Sequence, residues 1–314
     1  MQRLSRTILV LALVVAGAGA ATGRDNASAA RAEEVLKQAR AAIGGEAKIG
    51  GVRGLSIKGK YRRVIQEREL SGEREFDLLL PDKYMRTESV VMQGMGMSMT
   101  NTRAINGSEF WADGGRGRAG GTMMIMRGDG KEPTLEDLAR AEQEQARQMR
   151  VELARYVLAL LLTPSPGFPL EFTYAGEATA DDGSADVIDA AGPEGFAARL
   201  FLDKRTHLPL MLSYRAPKPR VFTMMQQGGP RGGHGGKSQE ELVKEAREKL
   251  KEQGEAAKPE EVEMQIRFSE YRESGGLLLP HRIASGPDGE TTEEWEIKTY
   301  SVNPQFKADK FQKR

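Results

Sequence analysis

Residues 55–91 read LSIKGKYRRVIQERELSGEREFDLLLPDKYMRTESVV, and the period of this stretch decides the fold. Apolar and charged residues alternate, which is the signature of a strand with one face turned inward rather than of a helix. Ser71-Gly72 and Pro81-Asp82 read as turns between such strands. The stretch therefore predicts an antiparallel meander of long strands.

Downstream, VMQGMGMSMTN at 91–101 continues the pattern into INGSEFWADG, whose Asn106-Gly107 pair is the strongest short hairpin signal in the chain. Read as one strand, residues 90–100 place Val91, Met95, Met97 and Met99 on one face with Gln93. The other face then carries Met92 with Gly94, Gly96, Ser98 and Thr100. A glycine-rich loop with Met123, Met124 and Met126 follows. The period changes to helical at Thr134, where Thr134 and Asp137 form a capping signal, and it runs to Pro164 through Leu135, Leu138, Met149, Leu153, Tyr156, Val157 and Leu160. The polar centre, RAEQEQARQMR, leaves open one helix or two.

Strand signals return at residues 170–216, with turns at Asp182-Gly183, Gly192-Pro193 and Asp203 to Thr206. Between 226 and 259 the rhythm breaks into a glycine-rich run and a charged helix with a narrow stripe of Leu242, Val243, Ala246 and Leu250. Two further strand regions close the chain. About eleven strands result, with a helix in front, a helical insertion at 131–163 and the late insertion at 226–259. Helices placed between hairpins of an antiparallel sheet cover one of its faces, and a sheet this long must curl or close. The fold class is mainly β with helices (α+β).

The first thirty residues set the compartment. Arg3 and Arg6 precede an apolar run from Ile8 to Ala16 that is too short for a membrane span, the pattern of a secretory signal peptide. Cleavage points follow Ala20 and Ala29, and the second is favoured, giving a signal at 1–29 and a single domain at 30–314. The chain holds no cysteine, so it has neither a lipid-anchoring thiol nor a disulfide, and a periplasmic location follows. No later stretch offers a transmembrane span. With 46 basic and 45 acidic residues, no nucleic-acid footprint is visible. Ahead of all this, ARAEEVLKQARAAIGG at 30–45 is an amphipathic helix stopped by Gly44-Gly45.

Catalytic chemistry is sparse. Three histidines occur, His207, His234 and His281, none in a metal-binding helical spacing. There is no Gly-x-Ser-x-Gly elbow and no phosphate loop after a βα unit. Glu293 and Glu294 alternate across a strand and cannot act together. No enzyme, cofactor or metal centre is predicted. The methionines admit two readings. Thioethers select copper(I), but alternate strand positions stand about 6.5 to 7 Å apart, wide for one ion. The same unbranched side chains fill irregular apolar space and repack around varied ligands.

LPDKYMRTE (80–88), NGSEFW (106–111), RLFLDKRTHLPLMLSYR (199–215), FSEYRESGGLLLPHRI (268–283) and YSVNPQFKADKF (300–311) occur in the order and spacing of the outer-membrane lipoprotein-sorting (Lol carrier) superfamily, which the chain resembles. The resemblance implies an antiparallel, unclosed half-barrel with helices on its concave face, and a ligand that is a lipid or the acyl chain of a lipoprotein. The chain departs from the family in lacking the anchor cysteine of the receptor-type members and in carrying the late insertion. The reading is a non-enzymatic periplasmic carrier of a lipophilic group, with segment 134–162 as lid. Its expected lining is Val91, Met95, Met97, Met99, Phe110, Met149, Leu153, Val157, Met211 and Met224. The alternatives are a copper(I) metallochaperone and an envelope adaptor or sensor that contacts a protein partner.

Overall fold

The computed structural model describes residues 21–65, 68–92, 97–114, 134–180, 183–218 and 260–313, with the side chains of residues 21–25, 68, 91, 92 and 97 outside the description. Residues 1–20 of the export signal expected at 1–29, Met95, Met224, the first residues of the helical insertion and all of the 226–259 insertion also lie outside it.

Helices α1 (Ala21–Ile43) and α2 (Glu46–Gly50) precede β1 (Gly54–Ile65), β2 (Arg68–Leu79), β3 (Lys83–Met92), β4 (Met97–Asn106) and β5 (Glu109–Gly114). After α3 (Leu135–Leu161) come β6 (Glu171–Ala180), β7 (Gly183–Ala191), β8 (Ala197–Asp203), β9 (Pro209–Pro217), β10 (Glu261–Ser274), β11 (Leu277–Pro287) and β12 (Glu293–Val302). All twelve strands form one antiparallel sheet in the order β5-β4-β3-β2-β1-β12-β11-β10-β9-β8-β7-β6. Two meanders thus meet at the β1–β12 seam, and β5 and β6 are opposite free edges.

This topology dictates the place of α3. The chain leaves β5 at one edge and must re-enter at β6 on the other, so the connection has to cross a face of the sheet. Twelve strands span about 53 Å when flat, and a helix of α3's length about 40 Å. The polar centre of the segment does not break it: α3 is one helix, started by a reciprocal capping box between Thr134 and Asp137. Its end is satisfied from α1, where Arg40 Nη1 donates to the Leu162 carbonyl at 3.3 Å.

The face that carries α1 and α3, here the inner face, holds the main core. From α1 come Ala32, Val35, Leu36, Ala39 and Ile43, the stripe that the sequence predicts. From the sheet come Leu55, Ile57, Phe76, Leu78, Tyr84 and Ile105 on one half and Ile188, Leu200, Leu212, Ile266, Phe268 and Ile283 on the other.

Two sequence expectations need correction. Ser71-Gly72 is not a turn, because β1 and β2 reverse between Ile65 and Arg68, and Gly72 lies mid-strand opposite Tyr61. A Cβ on Gly72 would stand 1.8 Å from the Ser89 carbonyl oxygen and 3.2 Å from the Tyr61 ring. Glycine is there for close approach of strand to strand, not for reversal. Likewise residues 90–100 are not one strand. β3 ends at Met92 and β4 begins at Met97, the two paired in a hairpin in which Val90 faces Met99 and Val91 faces Ser98. Val91 is therefore one step out of phase with Met97 and Met99. A run of methionine and glycine gives periodicity no cue for a reversal.

The other motifs stand as read. Gly107 turns β4 into β5 with φ +65°. The Asp203 carboxylate accepts from the backbone of Arg205 and Thr206 and from the Thr206 hydroxyl. Asn303, in the left-handed region at φ +53°, accepts from the Arg53 amide at 2.6 Å and donates to the Gly51 carbonyl at 3.0 Å. Beyond it the chain end packs on the outer face: Phe311 and Phe306 join Met85, Ala104 and Trp111, and the Trp111 indole donates to the Phe311 carbonyl at 2.9 Å. Lys310 reaches the buried Asp77 carboxylate at 2.8 Å.

Candidate functional site: a helix-filled face and its charge belt

Helix α3 is amphipathic over its first half and buried nearly all round over its second, where Val151, Leu153, Ala154 and the run Val157 to Leu161 are covered. The capping and the 3.6-residue period make the helix; the sheet's apolar trough makes it stay. The fit is close. The seam lined by Val52, Leu55, Leu78, Tyr156, Val157 and Leu161 leaves about 10 Å³, at most the room of a single water. At this seam the inner face is filled by the protein's own helix, and a cavity of about 200 Å³ lies further along it, between Arg150 and Leu153 of α3, Pro81 and Phe168.

Beyond this apolar zone the same face turns ionic. Register alone places Tyr61 beside Trp295, Arg63 beside Glu293 and Arg74 beside Glu88 across the β1–β12 and β2–β3 ladders. These side chains form a belt. Arg74, only 3% exposed, donates from Nε to Glu88 at 2.6 Å and from Nη1 to Glu293 at 2.6 Å. Its guanidinium lies 4.5 Å from the Tyr61 ring centroid and 5.5 Å from that of Trp295. Arg63 pairs with Glu293 at 2.5 Å. Arg86 bridges Glu88 at 2.7 Å and Glu152 of α3 at 2.9 Å, and Glu152 also accepts from the Tyr84 hydroxyl at 3.1 Å.

Burial by itself would raise the carboxyl pKa of Glu293, but Arg74, Arg63 and Arg86 outweigh it and hold the group at about 2. Glu88 is lowered in the same way, with burial opposed by Arg86, Arg74 and Arg63. Both are firmly ionised at neutral pH. Neither is poised as an acid or base, so the belt does structural and positioning work rather than proton transfer.

A last arginine departs from this pattern. Arg155 of α3 stacks on Tyr214 with its guanidinium 3.7 Å from the ring centroid, and its Nε is buried with no hydrogen-bond partner. Burial lowers its pKa. Earlier on α3, Arg150 Nε pairs with Glu194 at 2.8 Å and Arg147 donates to the Glu194 carbonyl at 2.7 Å.

The expected lining residues divide. Met149, Leu153 and Val157, all on α3 itself, are buried in the main core, and Phe110 of β5 packs against that core. Met99 is half-buried on β4, paired with Val90, on the far side of the belt from the apolar zone. Met211 must be reassigned. It pairs with Phe201 and Arg267 and belongs to a separate cluster with Ala178, Ala185, Val187 and Phe201, out of phase with core-facing Leu212. The strand alternation that the sequence shows leaves the choice of face to long-range pairing, and Leu212 takes the core. Of the described methionines, Met85, Met149 and Met211 lie in three different apolar clusters. His281 is buried in β11 against the Tyr300 ring, with Nδ1 3.1 Å from the Leu279 carbonyl oxygen.

The belt escaped sequence reasoning. Its charges stand in phase with core residues, Arg74 two positions from Phe76, Arg86 and Glu88 two and four from Tyr84, and Glu293 two from Trp295, but their strands carry charge on both faces, so phase alone does not turn them inward.

Among solved structures, the chain is similar to a LolA superfamily protein from Nitrosomonas europaea at 8% identity and a TM-score of 0.44, covering 90% of this chain and 97% of that one. A putative outer membrane lipoprotein-sorting protein domain from Vibrio parahaemolyticus matches at 11% identity and 0.43, and a DUF1329 family protein from Desulfovibrio piger at 8% and 0.40, both with the same coverages. Each is a distant likeness. No family model and no curated protein sequence matches the chain.

Proposed function

We propose that this protein is a non-enzymatic, exported binding protein whose ligand is a lipophilic group, a lipid or the acyl chain of a lipoprotein, taken up between α3 and the inner face of the sheet. One observation carries the reading: the apolar trough of an open sheet is covered by the protein's own helices, with about 10 Å³ between α3 and Leu55 and Leu78 and a cavity of about 200 Å³ lined by Pro81, Arg150, Leu153 and Phe168 beside the same helix. A helix that joins two free edges is covalently tied only at its ends, so it is free to lift while the twelve-stranded ladder stays intact. Beneath it stand Leu55 and Leu78 of the sheet, whose apolar area an acyl chain covers in the helix's place at about 0.8 kcal/mol per buried methylene.

The polar ties of α3 support the same reading. They lie on its exposed side and at the belt, through Glu152, Arg150 and Arg147, and can re-form after a shift. Native mass spectrometry of the protein purified from its own envelope tests the proposal. A co-purifying mass that yields fatty acyl chains on extraction supports it. A bare polypeptide mass, with no uptake of added dodecanol or dodecanoate, overturns it.

A further inference from the structure

The belt, with Glu152 and Arg155 of α3 above it, sets four arginines, Arg63, Arg74, Arg86 and Arg155, against three carboxylates, Glu88, Glu152 and Glu293. The first three arginines take all three carboxylates. Glu152 stands three residues before Arg155 on α3, where helix geometry allows a pair, yet its carboxylate is committed to Arg86 and Tyr84. Among the described residues Arg155 makes no ion pair and no hydrogen bond.

A cation with a buried, unsatisfied donor is costly, and its placement calls for an anion. The geometry names the kind. The Arg155 guanidinium, seated 3.7 Å over the Tyr214 ring, carries its donors in one plane, the fork that takes a carboxylate or phosphate in bidentate fashion. Arg155 is half-buried, so it stands at the margin between the apolar zone and water rather than within either. An amphiphile whose tail lies under α3 would present its head at such a margin.

We propose that Arg155, on its Tyr214 platform, is the head-group site of this protein, and that the ligand class is an amphiphile with an anionic carboxylate or phosphate head. The inference rests on the reading of the α3-covered face as a lipophilic site and adds a charge requirement to it.

Calorimetric titration of the full chain with dodecanoate, dodecyl phosphate and dodecanol, each below its critical micelle concentration, tests the proposal. The wild type binds at least one of the two anions tenfold or more tighter than dodecanol, and the stronger of the two identifies the head. In Arg155→Met that preference falls to within twofold while dodecanol binding is unchanged, and Arg155→Lys retains part of it. Unchanged far-ultraviolet circular dichroism and dodecanol affinity show that the Met variant is folded. Equal binding of anion and alcohol by the wild type, or a preference that survives in Arg155→Met, overturns the head-group assignment and leaves the lipophilic reading intact. Inorganic phosphate that binds alone as tightly as dodecyl phosphate overturns the amphiphile. Absence of binding by all three chains overturns both readings.

Discussion

Arg86 of β3 reaches Glu152 of α3 across 2.9 Å, and the same carboxylate oxygen accepts from the Tyr84 hydroxyl at 3.1 Å. This is the polar tie between the plugging helix and the strands beneath it. Glu152→Gln keeps the shape and removes the charge, so it weakens the tie by about 1–3 kcal/mol. We expect amide protons over residues 146–161 to exchange faster in the variant, with exchange in β1 and β12 unchanged. An equal acceleration throughout the sheet would mean that the tie serves global stability rather than the seating of α3.

Arg74 and Glu293 are a different case, because Arg74 is buried and Glu293 is only 16% exposed. Arg74→Met leaves Glu293 to Arg63 and Glu88 to Arg86 alone in a poorly solvated place, and should cost about 3–5 kcal/mol in chemical denaturation. The double variant Arg74→Met/Glu293→Gln should recover part of that loss, because the second change removes one of the two carboxylates stranded by the first. A double-variant cost equal to the sum of the singles would show that the two do not interact.

The depressed Glu293 carboxyl also fixes a pH dependence. Its ordinary value is 4.5 and its folded value about 2, so the folded state binds the proton more weakly than the unfolded one. The group's stabilisation is therefore complete above about pH 4.5 and is lost as pH falls through the folded value. It is on the order of 3 kcal/mol. The stability gap between wild type and Glu293→Gln should be flat from pH 7 to 5 and shrink steadily from 4.5 toward 2. A gap constant over that range would contradict the ion-pair account.

Gly72→Ala tests the close approach of β2 to β3. The added methyl meets the Ser89 carbonyl at 1.8 Å, so the strands must part, at about 1–3 kcal/mol or more. Gly114→Ala is the matched control, since none of the described residues lies within 4 Å of its Cβ position, and it should be near neutral. Equal melting temperatures for the two variants would refute the close-packing explanation.

The sequence speaks clearly where a signal is local. The two-residue alternation of 55–65, the Asn106-Gly107 turn, the Thr134 cap and the Asp203 and Asn303 turns each depend on neighbours within a few positions, and each is legible. The reversal between Ile65 and Arg68 is not, because its flanking residues lack glycine and proline while nearby Ser71-Gly72 has the turn-like composition. The belt is illegible for a different reason. Arg74 meets Glu293 across 219 positions, and in a strand whose two faces both carry charge, nothing local says that these charges face inward. Met211 and Leu212 present the same ambiguity, resolved only by the β9 pairing with β8 and β10. Among the described residues, the methionines that draw the eye in the sequence supply only Met149 to the buried inner core, which is otherwise built of leucine, isoleucine, valine, alanine, phenylalanine, tyrosine and tryptophan.

The central claim is that α3 must move for a ligand to enter. Because the chain has no cysteine, Arg86→Cys/Glu152→Cys offers a unique pair of thiols for a short, reducible bis-maleimide tether between β3 and α3. The decisive measurement is dodecanoate binding by the tethered double variant before and after reduction of the linker. The account predicts binding at least tenfold weaker while tethered, restored on reduction to the level of the untethered double variant. Equal affinity in the tethered and released forms would show that the ligand binds with α3 in place, and the displaceable helix would have to be abandoned.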